Sequence, residues 1–397
     1  MASPKPPRDR DFDALDLAQL RRRRGEKWRL YAPDVLPAWV AEMDFPLAEP
    51  VRRAVAEAVE LEDLGYPLDP RPDELPACFA ARMEQRFGWR IDPRRVEVIA
   101  DVVQGVYVAL GQCSAPGEGI VLQTPIYPPF LEAVAETGRR LVENPLVDRG
   151  DRYEIDLDAL RAALGGGARV FVLCNPHNPT GRVFERAELE ALAELAAARD
   201  LVVVSDEIHA DLVYQGRRHT PFASLAPEVE ERTITLTSAT KAFNIPGLRC
   251  AVAHFGSAEL RRRFLGVPRH LRGGLGALGQ AATLAAWREG DPWLDAVRAY
   301  LAGNRDRVAR FVAAELPGVE HRAPEAGYLA WLDFRALCLA PTPQRFLLER
   351  ARVALSAGER FGAPGQGFAR LNFATSRALL DEILERVAKA LRSATGR

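Results

Sequence analysis

The stretch "TITLTSATKAFNIPGLRCAVAHF", residues 233–255, sets two strand-like runs on either side of a short polar turn. The flanking runs, "TITLT" and "AVAHF", are β-branched or apolar, and the turn carries Ser238, Lys241, an Asn-Ile-Pro-Gly step and Arg249. Desolvating a lone ammonium at the end of an apolar strand is costly. Lys241 therefore asks what it is there to do.

Moving outward, the same pattern repeats. From Val96, short apolar runs alternate with helical patterns: "VEVIA", then Val103–Cys113; "GIVLQ", then Pro128–Thr137; "ARVFVLCN", then Glu185–Arg199; then "LVVVSDE". Strands that are apolar throughout and separated by amphipathic helices predict a mostly parallel sheet covered on both faces, in an α/β core. After about Leu275 the pattern changes to a long helical region, "GDPWLDAVRAYLAGNRDRVARFVAAEL". It is followed by the strands "GYLAWLDFR", "VALSAG" and "FARLNFA", a helix near Pro343–Arg350 and a closing helix, Arg377–Leu391, which predicts a smaller α+β domain. The polar, Pro-rich start is expected to be disordered or wrapped on the surface up to about Phe12.

Length and composition narrow the function. The 397 residues suit two domains. A net charge of −1 argues against nucleic-acid and membrane-surface roles. Arg21 to Arg24 form a local basic run of the kind a solvated helix face carries. Five scattered cysteines with no CxxC pair fit a reducing compartment and show no zinc motif, so no metal site is expected. No apolar run approaches membrane-spanning length, and the protein is read as cytoplasmic.

Ligands of open α/β sheets sit beyond the carboxyl ends of the strands. There this sequence places Asn175 to Gly181 ("NPHNPTG"), Asp206 to His209 ("DEIH"), Ser238 and Lys241, and Thr124 to Tyr127 ("TPIY"). Each has a plain structural reading alone: a turn, a helix cap, an exposed lysine. Together they supply an amide, a carboxylate, an aromatic ring and an amine, the set that pyridoxal 5'-phosphate (PLP) requires. That cofactor needs a lysine for its aldehyde, a carboxylate for its pyridine nitrogen and donors for its phosphate.

On those residues the chain resembles the fold-type I PLP-dependent enzymes of the class I/II aminotransferase superfamily, and within it the cystathionine β-lyase (C–S lyase) branch. The segments that carry the resemblance include "LPAWVAEMDFPLAEPV", "LQTPIYPPF", "NPHNPTGRVF", "SDEIHADL", "TSATKAFNIPGL" and "GFARLNFATS". The resemblance implies a segment 1–45 joining the small domain, a large cofactor domain over 46–285 and a small domain over 286–397. It implies that Lys241 forms the Schiff base and shuttles a proton, and that Asp206 pairs with the pyridinium. Asn178 and His209 would lie on the O3′ side, with Tyr127 stacked on the ring. Ser238, Arg249 and the backbone amides of Val103 and Gln104 would hold the phosphate. Tyr66 would reach the phosphate of a neighbouring subunit, making a homodimer with shared sites, and Arg370 would clamp the substrate α-carboxylate.

Two stretches depart from the family pattern. "DVVQGV" lacks the usual glycines of the phosphate loop. The Gly-rich stretch 273–279, with Arg269, His270 and Arg272 upstream, would lie near the partner's site and either adjust substrate choice or serve tight packing. The resemblance favours β-elimination from cystathionine or another S-substituted L-cysteine, on His209 and "WVAEMDF". An aminotransferase, a lyase of specialised metabolism with an unusual S-conjugate, and a regulatory protein acting through a partner stay open.

Overall fold

The computed structural model describes residues 9–67 and 74–395. Its main sheet has seven strands: β1 (Val96–Ile99), β2 (Gly119–Leu122), β3 (Arg140–Glu143), β4 (Ala168–Cys174), β5 (Val202–Asp206), β6 (Thr233–Thr237) and β7 (Ala251–Phe255). They lie in the order β1-β7-β6-β5-β4-β2-β3. All neighbours run parallel except at β7, which is antiparallel to both β1 and β6. The turn quoted at the outset is thus the only connection between adjacent antiparallel strands of this sheet that is short, because β6 and β7 are consecutive. Along β4, Val170, Val172 and Cys174 pack into one apolar cluster while Phe171 and Leu173 pack into another. Burial on both faces explains why these strands read as unbroken apolar runs.

A second sheet holds β8 (Glu320–His321), β9 (Leu329–Asp333), β10 (Ser356–Ala357) and β11 (Phe368–Asn372), antiparallel in the order β8-β9-β11-β10. The helices Asp291–Glu315 and Arg377–Thr395 pair with one another, and their apolar residues join a third cluster with those of β9 and β11. The N-terminal segment enters that cluster. Leu36–Pro37 pairs in parallel with Val353–Ala354, and Leu20 and Leu36 are buried.

One expectation changes. Residues 1–8 lie outside the described residues, but Asp9–Asp13 is helical and Phe12 is only 1% exposed, not at the surface. Its ring sits 5.0 Å from Phe45 and 5.2 Å from Tyr300. Burying such a side chain contributes about 1.5–3 kcal/mol towards holding this stretch against the core. The expected boundary between 285 and 286 falls inside the helix Ala277–Glu289. That helix continues because Ala286 and Trp287 are core residues, and Gly290 ends it.

Candidate active site

The carboxyl ends of β4, β5 and β6 open onto a cavity of about 370 Å³. At one end stand Lys241, Asp206, His209, Asn178 and Tyr127. Asp206 closes β5, where its Oδ1 accepts from the Ile208 amide at 3.0 Å. Its Oδ2 has a thiol, Cys174 Sγ, at 4.0 Å. Burial, with Glu207 beside it, pushes this carboxyl up to about 7 against the opposing Ile208 hydrogen bond and Lys241. Lys241 lies in the helical turn Ala239–Ala242 after β6, and burial followed by the charge of Arg370 draws its amine down to about 8. His209 is pulled to about 3 by burial and by Lys241 and Arg370, and its Nδ1 is buried with no partner. Burial raises the Tyr127 phenol. His177, inside the "NPHNPTG" loop, is structural: its ring nitrogens meet Thr180 Oγ1 at 2.9 Å and the Gln123 carbonyl at 3.2 Å.

A strap of backbone, residues 39–44, crosses this end. The Ala41 carbonyl accepts from Lys241 Nζ at 3.0 Å and from the Tyr328 hydroxyl at 3.1 Å. Asn372 Nδ2 holds the carbonyls of Val40 and Glu42, and Asn244 bonds both the amide and the carbonyl of Met43. A buried pair, Lys27 with Asp44 at 2.9 Å, fixes the far end of the strap. Arg370, on β11, donates to Asn178 Oδ1 at 2.9 Å, to Ser356 Oγ at 3.1 Å and to the Trp39 carbonyl at 3.2 Å. Its Nε is buried without a partner, and its guanidinium lies 4.9 Å from the centre of the Phe361 ring.

The other end of the cavity is made by Asp101, Val102, Val103, Ser238, Thr240 and Arg249. The helix Val102–Cys113 starts there, so the amides of its first turn have no intrahelical acceptor and favour an anion. Val103 lines the cavity as expected, but the Gln104 amide does not serve it. That amide donates to Asp101 Oδ1 at 2.8 Å as an N-cap bond, because an aspartate stands where a cap is needed. Ser238 Oγ donates to the Cys250 carbonyl at 2.5 Å and accepts from the Thr240 amide at 3.0 Å. Arg249, in the left-handed region at φ 45°, points its guanidinium at Asp101.

The arrangement has relatives. A family model described as "Aminotransferase class I and II" matches residues 41–387. The chain belongs to that family. It is similar to a cystathionine beta-lyase of Corynebacterium glutamicum, 38% identical over 95% of this chain and 99% of that protein. It is similar also to the cystathionine beta-lyase PatB of Bacillus subtilis, 37% identical over 90% and 93%. Among solved structures, the PLP-bound C-S lyase from Staphylococcus hominis superposes with a TM-score of 0.89 and 30% identity, covering 96% of this chain and 98% of that one. The fold is the fold-type I PLP-dependent transferase fold, a mixed, mostly parallel sheet flanked by helices.

Within this member of the aminotransferase class I and II family, Arg370 does not line the cavity itself but bonds Asn178, which does, whereas Tyr66 stands away from it. It is fully exposed, beside the helices Glu49–Glu60 and Ala277–Glu289. The Gly-rich stretch abuts the start of the Val102–Cys113 helix, where a Cβ on Gly273 would lie 2.5 Å from Gln104 Oε1. Gly279 serves packing: a Cβ there would lie 2.3 Å from the Leu248 carbonyl, behind the turn that carries Arg249. Sequence reasoning missed Asp101, Thr240, Asn244, Ser356, Tyr328 and Asn372. Asp101 alone left a local signal, an aspartate between a strand and a helix.

No helix among the described residues is long and apolar enough to cross a membrane, and all five cysteines are free.

Proposed function

We propose that the protein is a PLP-dependent carbon–sulfur β-lyase. It acts by α,β-elimination on cystathionine or another S-substituted L-cysteine, giving a thiol, pyruvate and ammonia. One observation carries the reading: an amine drawn down to about 8 and a carboxyl pushed up to about 7 share one cavity with the buried guanidinium of Arg370 beside it. The names of the relatives, cystathionine beta-lyases and a C-S lyase, support elimination over transamination.

The residues fit the cofactor on their own chemistry. Asp206 Oδ2 and the buried, unpartnered His209 Nδ1 are groups without a full set of partners at the deep end. The free helix amides and Arg249 form an anion-binding corner at the other. Bound there, PLP supplies an electron-accepting ring for the electron pair released at the substrate α-carbon.

Asp206 would hold the ring nitrogen, and a cation there would keep its carboxylate ionised. Asn178 offers its Nδ2 hydrogens to the ring oxygen, because its Oδ1 is occupied by Arg370. Tyr127, its phenol raised by burial, would lie against the ring. Arg370 holds the substrate α-carboxylate with the fork its planar guanidinium provides. Lys241, its amine drawn down to about 8, would take the α-proton and return it.

The working unit of this reading is a homodimer in the cytoplasm, with Tyr66 delivered to the partner's cavity. The full exposure of Tyr66, with the exposed Leu61 and Leu64 nearby, supports a covering surface there, and the free cysteines suit a reducing compartment. Arg272 adjusts substrate choice in the same unit, and Arg272→Ala would then shift relative kcat/KM across substrates.

The experiment is to incubate the PLP-loaded protein with L-cystathionine and a panel of S-alkyl cysteines, without any oxo acid. Pyruvate and free thiol in equal amounts are expected. Amine transfer that appears only with 2-oxoglutarate, with no pyruvate before it, would replace the lyase by an aminotransferase.

A further inference from the structure

Asp101 places a carboxylate at the end of the cavity where the proposed function puts a phosphate. It caps the helix start and engages Arg249, the guanidinium that a phosphate would use. Its Oδ1 accepts from the Gln104 amide at 2.8 Å, and its Oδ2 contacts Arg249 Nη2. The cavity there is otherwise built for an anion, with the first amides of a twelve-residue helix and the Ser238 and Thr240 hydroxyls around it. The chain thus offers its own anion to its own anion-binding corner.

The two partners are unequally held. Asp101 is fixed by the cap bond and its side chain is 29% exposed, whereas the Arg249 side chain is 68% exposed. The backbone of Arg249 is anchored by the Pro246–Leu248 turn and by Gly279 behind it, so the guanidinium can swing without moving the chain. A guanidinium drawn towards Asp101 through Nη2 has one donor fewer aimed at a phosphate, and an incoming dianion would meet a carboxylate of like charge beside it.

We propose that Asp101 is a built-in competitor for the phosphate end of the cofactor. Arg249 exchanges the Asp101 carboxylate for the phosphate on loading, so the aspartate loosens the hold on PLP and speeds its release. Asp101 is a positioning residue, acting through Arg249 and the helix start. The inference rests on the PLP reading of the same cavity.

The test compares Asp101→Asn and Asp101→Ser with the parent, since both keep a side-chain acceptor for the helix cap. Each protein is stripped of cofactor and titrated with PLP by absorbance, with inorganic phosphate by calorimetry, and with pyridoxal, which lacks the phosphate. The expected result is roughly three- to tenfold tighter binding of PLP and phosphate by both variants, the size of a partly exposed charge contact, with pyridoxal unchanged. Equal or weaker phosphate and PLP binding by the variants overturns the inference, as does an equal gain for pyridoxal. A parent protein that takes up no PLP overturns the cofactor reading and this inference together. Normal uptake by the parent with no gain in the variants overturns the inference alone.

Discussion

Arg370 Nη1 donates to Asn178 Oδ1 across 2.9 Å, and both side chains are buried. The two residues are 192 positions apart in the chain, one on a strand of the smaller sheet and one in the loop after β4. The bond fixes which way the Asn178 amide faces: its oxygen is taken by the guanidinium, and its hydrogens are left for the cavity. The arginine proposed to take the substrate carboxylate therefore also orients a neighbouring donor.

Arg370→Lys keeps the charge but loses the planar fork, so Asn178 is left free to turn. We expect kcat/KM to fall by about 10- to 100-fold, the worth of one or two charge-assisted hydrogen bonds. A shift in the absorption of the bound cofactor should accompany it, since Asn178 is released too. Steady-state kinetics with an absorption spectrum checks both, and an unchanged spectrum would separate Asn178 from Arg370.

Asp206 makes the stability of the cofactor-free protein fall with pH. Its folded value, about 7, is raised above the ordinary 3.8, so between those values the folded state holds a proton that the unfolded state has lost. Its ionisation therefore costs stability progressively from about pH 4 to about pH 7. Asp206→Asn removes that cost. Urea unfolding of the stripped proteins should show the variant gaining on the parent across this window, by a few kcal/mol at most above pH 7, and by nothing below pH 4. The opposite trend would mean that the carboxylate is stabilised by something other than the cofactor.

Lys241 predicts a pH profile for loading. The neutral amine is the nucleophile, and its value is lowered from 10.5 to about 8. The rate at which stripped protein attaches PLP should rise with pH to about 8 and then level off. A lysine on the surface would continue to gain to above pH 10. Lys241→Ala should show no borohydride-fixed cofactor at any pH, read by mass spectrometry of the peptide around residue 241.

Asn244 ties the strap to the turn that carries Lys241. Its Oδ1 accepts from the Met43 amide at 2.8 Å, its Nδ2 donates to the Met43 carbonyl at 2.9 Å, and its own φ is 56°. Asn244→Ala loses both bonds and puts alanine in the left-handed region, which should cost about 2–4 kcal/mol. Asn244→Gly loses the bonds but not the backbone fit. Thermal unfolding of the pair separates the two causes: equal losses would assign the effect to the bonds alone.

The strands of the main sheet were legible because a buried parallel strand has little choice of residue. "VFVLC" and "LVVVS" carry no polar side chain until the strand ends, and the polar residues then collect at the ends of β4, β5 and β6. The cavity gathers Lys241, Asp206, Asn178, His209, Tyr127, Ser238, Val103 and Arg249 at one place for that reason. Phe12 was misread since a polar, Pro-rich surrounding hides one buried ring, and its partners Phe45 and Tyr300 are far away in sequence. Gln104 was misread because the Asp101 cap competes for its amide, a local bond that composition does not reveal.

By itself the sequence determined the alternation of strand and helix, the apolar interior of the main sheet and the residue types at its strand ends. Local rules of burial and turn chemistry act within a few residues, so one dimension suffices for them. Only the tertiary structure decided that residues 39–44 lie over Lys241 and that Arg370 orients Asn178. It also decided that Asp101 meets Arg249, 148 positions away. Such pairings depend on how separate elements pack, and a hydrogen bond of about 3 Å is set by that packing and not by spacing along the chain.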